Sequence, residues 1–240
     1  MIINKNQLIY FSVSVLFSLL IAGYHNDAGL IHNWIGYDKF IKQEYGTPFV
    51  YRALIPSLAR VINFFTNVPP KYLFYLFDFL ATFLILIFYE RYLYLFLKEK
   101  QLSRILSFTI FYVMTFVILL PRYYSLYYPY DMYSLLFNII LLTSIYESRI
   151  NLFYLTFIIA TFNRETTIFM LMAFLLVNYD KYEKKYLLKH GFCILFIWFV
   201  IKYFLYLVFY QVNGSTIFQH QYLCNIDFFY KKSGDFRVYI

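Results

Sequence analysis

The stretch NLFYLTFIIATFNRETTIFMLMAFLLVN, residues 151–178, decides how this chain folds. Two apolar runs flank a polar knot, Asn163-Arg164-Glu165-Thr166-Thr167. Apolar runs of this kind belong in lipid, where each ionised side chain costs roughly 2.5–3.5 kcal/mol at mid-bilayer on insertion scales. Such groups persist only facing protein or water, and there they mark functional sites. A polytopic membrane protein with a polar internal site is the expectation.

Composition agrees. The chain is 62% hydrophobic and 14% charged, whereas a soluble domain is roughly 45–50% apolar and about 25% charged. The apolar runs are continuous, which excludes the short alternating segments of a β-barrel. The expected fold is all-α, a polytopic integral membrane helix bundle of about five to seven membrane helices, one of them re-entrant or broken. Residues 1–210 form one transmembrane domain and 211–240 a non-spanning tail.

A net charge of +8 reads as positive-inside loops, because no basic stripe with interleaved aromatics lies outside the membrane-flanking segments. No nucleic-acid partner is expected. Cys193, Cys224 and the four histidines have no metal or redox spacing. No cofactor is expected, and nothing supports a divalent metal. The abundance of Phe (30) and Tyr (28) reads as interfacial belts with compositional bias. The run Tyr123, Tyr124, Tyr127, Tyr128 and Tyr130 is read the same way.

Outward from the central stretch, spans are expected at 8–23, 71–97, 104–120, 132–147 and 191–210. Residues 24–52 form an external loop whose middle, 28–44, suits a surface helix. Residues 53–66 rise only about 21 Å, too short for a core of roughly 30 Å, and read as an interfacial helix. Lys5 places the N-terminus in the cytoplasm, and Lys98, Lys100 and Arg104 agree. Lys181, Lys184, Lys185 and Lys189 fall inside only if 151–178 rises and returns, as a hairpin with arms of about 18–20 Å. The rival is one long tilted helix.

This topology gathers Asp27, Arg52, Arg122, Asp131, Arg164 and Glu165 on the external side. Adjacent residues point about 100° apart on a helix, so Arg164 and Glu165 need separate partners. Arg52 and Asp131 are the candidates. Two roles fit these charges: a binding and catalytic site, or salt bridges that only fix helix packing. Asp78 and Lys202 are expected to pair within the bundle or to snorkel.

Three segments, TPFVYRALIP (47–56), YPYDMYSLLF (128–137) and FNRETTIFM (162–170), resemble a group of bacterial polytopic membrane proteins of unassigned activity. More loosely, a carboxylate just after the first span resembles the GT-C glycosyltransferases, membrane enzymes that use polyprenyl-phosphate sugars. That resemblance implies a place in the bacterial cytoplasmic membrane, membrane lipid and a lipid-linked sugar donor as partners, and cell-envelope glycan assembly as the task. It implies Asp27 as catalytic base, with Arg52 and Arg164 as bidentate donors to the departing phosphate. Glu165 is the alternative catalytic carboxylate, and Arg122, Asp131 and Asn163 complete the candidate substrate-binding residues on the same side. The chain departs from those enzymes in being shorter, and its next acidic residue is Asp38. A transporter or flippase for a lipid-linked or anionic substrate, or a non-catalytic membrane subunit, would use the same charged cavity differently.

Overall fold

The computed structural model describes residues 5–28, 36–43, 51–114 and 128–213. Among them every regular element is helical. Helix α1 covers Lys5–Ala28, α2 Tyr37–Lys42, α3 Leu54–Thr66 and α4 Pro70–Leu97. Helices α5 (Lys100–Ser107) and α6 (Thr109–Met114) follow, then α7 (Pro129–Tyr146) and α8 (Ile150–Asn163). A 3-10 turn, Glu165–Ile168, leads into α9 (Phe169–Asn178), and α10 runs Lys184–Asn213.

Local chemistry sets several of these boundaries. Pro70 and Pro129 occupy the first turns of α4 and α7, where a missing N–H costs nothing. Asn67 and Lys98 adopt left-handed conformations that close α3 and α4, returning an N–H to the carbonyls of Asn63 and Tyr94. Among the described residues, three helices are long and apolar enough to cross a membrane: Gln7–Asn26 in α1, Pro70–Leu97 and Lys184–Phe209 in α10.

The helices pack in a series. α1 lies on α4, α4 on α7 and α7 on α8, while α8 and α9 both pack against α10. Ala81, Ile85 and Leu86 of α4 and Met132 and Leu141 of α7 are fully buried. The outward faces are apolar as well: Leu8, Phe11 and Leu20 of α1 and Phe192, Phe196 and Leu207 of α10 are exposed.

The central stretch is a hairpin. The rings of Phe153 on α8 and Phe174 on α9 lie 5.4 Å apart, whereas a straight helix would separate them by about 31 Å. Both arms pack on α7, and the turn between them reaches the first turn of α7. The single long helix is excluded.

Some sequence expectations need correction. α1 continues through Ala28, so Asp27 belongs to its last turn and not to a loop beyond it. Of the surface helix expected over 28–44, residues 29–35 and 44 lie outside the described residues, and the described part contains the short α2, tied to α1 where the Tyr37 hydroxyl donates to Asn26 Oδ1 at 2.7 Å. The expected span 104–120 is interrupted, in its described part, by a turn at Phe108 between α5 and α6. α10 begins at Lys184 and runs on to Asn213, absorbing the basic approach to the expected final span. α3 matches the expected short helix: Phe64 and Phe65 are each 77% exposed, while Ile55, Pro56 and Ala59 pack inward. Arg122, Tyr123, Tyr124, Tyr127, Cys224 and residues 214–240 lie outside the described residues.

Candidate functional site

At the hairpin tip the α-helical ladder breaks at Arg164, whose backbone is extended at φ −156° and ψ 142°. Asn163, the last residue of α8, is fully buried and donates to Tyr130 O at 2.8 Å and Ser134 Oγ at 2.9 Å. The Thr167 hydroxyl donates to Arg164 O at 2.9 Å, and Trp198 Nε1 of α10 donates to Glu165 O at 3.1 Å. The break is thus held from α7, from within and from α10. Its side chains have fixed directions.

Those directions produce two ion pairs. Arg52, just before α3, donates from Nη2 to Glu165 Oε1 at 2.7 Å and from Nε to Oε2 at 3.2 Å. This is the bidentate fork that a guanidinium makes with a carboxylate. Arg164 Nη1 donates to Asp131 Oδ1 at 2.6 Å. The other Asp131 oxygen, Oδ2, accepts from the Tyr128 N–H at 3.3 Å, at the N-terminus of α7, where the helix dipole favours an anion. Adjacent residues of the knot therefore take different partners on different elements.

The pairs are unequally screened. The Arg52 side chain is 10% exposed, Asp131 17%, Arg164 32% and Glu165 37%. The site is open on the Glu165–Arg164 side and closed beneath Arg52. Burial alone would lower the affinity of Arg52 for its proton, but the Glu165 hydrogen bond and charge reverse this and hold it above its ordinary range. Arg52 is a permanent cation here.

Aromatic rings form the floor. The Arg52 guanidinium lies 4.9 Å from the Tyr130 ring centroid, within cation–π range. Tyr128 and Tyr130 stack at 5.0 Å, and Phe40 of α2 stacks on Tyr130 at 6.1 Å. Tyr128 and Tyr130 are buried, so they belong to this site rather than to an interfacial belt. The physical reason is that the Tyr130 ring covers the Arg52 cation and Tyr128 stacks on Tyr130.

The sequence-selected residues are thereby placed. Arg52, Asp131, Asn163, Arg164 and Glu165 converge on the hairpin tip. Asp27 lies in the last turn of α1, and Arg122 lies outside the described residues. Sequence reasoning missed His25, which is buried in α1 with its Nδ1 2.5 Å from Asp78 Oδ2 of α4. Asp78, unassigned beyond a pairing within the bundle, thus has its partner on the first helix. An acid inside the apolar run 71–97 and a lone histidine at the end of α1 were the only signals.

A second polar layer marks the opposite end of the bundle. Arg91 of α4 grips Glu147 at 2.6 and 2.9 Å, Arg149 also reaches Glu147 at 2.8 Å, and Arg104 pairs with Glu90 at 3.0 Å. This end carries Lys98, Lys100, Lys181, Lys184 and Lys185 in sequence.

Among the described residues no cluster of three or more His, Cys, Asp or Glu side chains has a metal-binding arrangement. No protein-family model, curated protein or solved structure matches the chain.

Proposed function

We propose that the chain is a multi-pass protein of the bacterial cytoplasmic membrane that binds a polyprenyl-phosphate-linked sugar and transfers the sugar in cell-envelope glycan assembly. One observation carries this reading: two arginine–carboxylate pairs sit at the break of a hairpin whose arms are otherwise apolar. The outward apolar faces of α1 and α10 support burial in lipid, and the lysine-rich end supports a cytoplasmic side opposite the site. In this orientation the N-terminus is cytoplasmic, the hairpin is re-entrant and its tip opens externally.

Each residue has a role in that reading. Arg164 commits Nη1 to Asp131, while its buried Nε has no hydrogen-bond partner among the described residues. It therefore retains donors for a phosphate oxygen. Arg52 spends Nε and Nη2 on Glu165 and supplies positive field from beneath. Glu165 positions Arg52, Asp131 positions Arg164, and Asn163 fixes the break.

The chemistry is a displacement at the anomeric carbon. Asp27 takes the proton of an acceptor hydroxyl, and that oxygen forms the new glycosidic bond. The bond from anomeric carbon to phosphate oxygen breaks, and its electron pair leaves with the polyprenyl phosphate. The arginines stabilise the charge that develops on that leaving group. Membranes containing the wild-type chain should transfer sugar from a polyprenyl-phosphate donor, and those containing Asp27→Asn should not, at equal expression and insertion. Near-normal transfer by Asp27→Asn would remove Asp27 from the base role and leave Glu165 as the next carboxylate.

A further inference from the structure

Helix α10 supplies a group that the ion pairs do not use. Trp198 Nε1 binds the Glu165 carbonyl, so this face of α10 is turned toward the hairpin tip. Lys202 follows Trp198 by one helical turn and shares its face. Its Nζ is buried and has no hydrogen-bond partner among the described residues, yet it lies within electrostatic reach of Glu165 and Arg52.

Charge balance gives this lysine a meaning. Glu165 is already gripped at both oxygens by Arg52, and Asp131 by Arg164 and the Tyr128 N–H. Among the described side chains at the hairpin tip, three cations, Arg52, Arg164 and Lys202, face two carboxylates, with one ammonium left over. Nearby, His25 and Asp78 are bonded to each other. A buried, unpaired ammonium is strongly disfavoured, and a bound anion compensates it. Lysine is also a point-charge donor suited to phosphate oxygens that are not presented as a fork.

We infer that Lys202 is a ligand of a phosphate group bound at the hairpin tip. This rests on the functional reading above and sharpens it: α10, not only the hairpin, holds the anionic head of the ligand. The shared chemistry is a terminal phosphate, the group that leaves with the prenyl carrier, whether it comes from a prenyl phosphate, a phosphatidic acid headgroup or free phosphate.

The test measures binding of farnesyl phosphate, phosphatidic acid and inorganic phosphate to the full chain in nanodiscs, with farnesol as the uncharged control. Wild type should prefer at least one phosphate compound over farnesol, and which of the three identifies the source. Lys202→Met should weaken that binding by about tenfold or more, and Lys202→Arg should retain most of it. A wild type that binds no phosphate compound overturns both the functional reading and this inference. A wild type with a clear preference that Lys202→Met leaves intact overturns the Lys202 inference alone. A second measurement works on the unsubstituted chain. With lysine labelled by 13C at Cε, the resonance that Lys202→Arg deletes should shift with the preferred phosphate compound and not with farnesol. An unmoved resonance overturns the inference whatever the folding of Lys202→Met.

Discussion

Arg52 and Glu165 stand 113 positions apart in sequence and meet through two hydrogen bonds, 2.7 and 3.2 Å long. This contact fastens the segment before α3 to the tip of the hairpin. It makes the entry to α3 and the break after α8 one structural unit. Removing either partner should therefore disturb the other.

A double-mutant cycle tests that unit. Arg52→Ala and Glu165→Gln should each lower the unfolding temperature in detergent. Their coupling energy should be about 1–2 kcal/mol, the range for a charge-assisted fork discounted for the solvent that reaches Glu165. Additive effects of the two substitutions would show that the fork does not hold in solution. Arg52→Lys should keep the charge but lose much of the coupling, because an ammonium cannot make the fork.

The His25–Asp78 pair joins α1 to α4 in the buried layer beside the site. Asp78→Leu alone should destabilise the protein by about 1–3 kcal/mol, since it leaves a buried polar partner without this hydrogen bond. The double substitution His25→Leu with Asp78→Leu should recover a substantial part of that loss. Thermal unfolding of the three variants decides this. A double variant no better than the single one would mean that other contacts of His25 dominate.

The membrane orientation is open to labelling. In a background lacking Cys193 and Cys224, single cysteines at Ser125 and Lys184 should react with an impermeant reagent from the outside and the inside respectively. External labelling at position 184 would contradict the proposed orientation of the hairpin and its lysine-rich end.

Much of the site was legible in sequence because charge is conspicuous inside apolar runs. Arg164 and Glu165 interrupt 151–178 and cannot share one partner, which directs attention to Arg52 and Asp131. The fold-back was expected from the lysines after 178, which the positive-inside rule keeps with the other basic loops only if the stretch returns. The end of α1 was not legible: Tyr24, His25, Asn26 and Asp27 read as loop by hydropathy, yet the helix continues through them. Its polar last turn is held by contacts in the tertiary structure, His25 to Asp78 and Asn26 to Tyr37. Tyr128 and Tyr130 misled for a related reason. A tyrosine suits both a membrane interface and the face of a buried cation, and only packing beneath Arg52 distinguishes the two.

The most direct test of the central claim compares the wild type with Arg164→Lys for two properties, unfolding temperature and binding of a polyprenyl-phosphate donor. A lysine can keep a charge near Asp131 but cannot also present a second donor to a phosphate oxygen. Arg164→Lys should therefore unfold close to the wild-type temperature while binding the donor at least about tenfold more weakly. A variant that loses stability yet binds the donor as the wild type does would contradict the account and leave Arg164 a structural ion-pair partner.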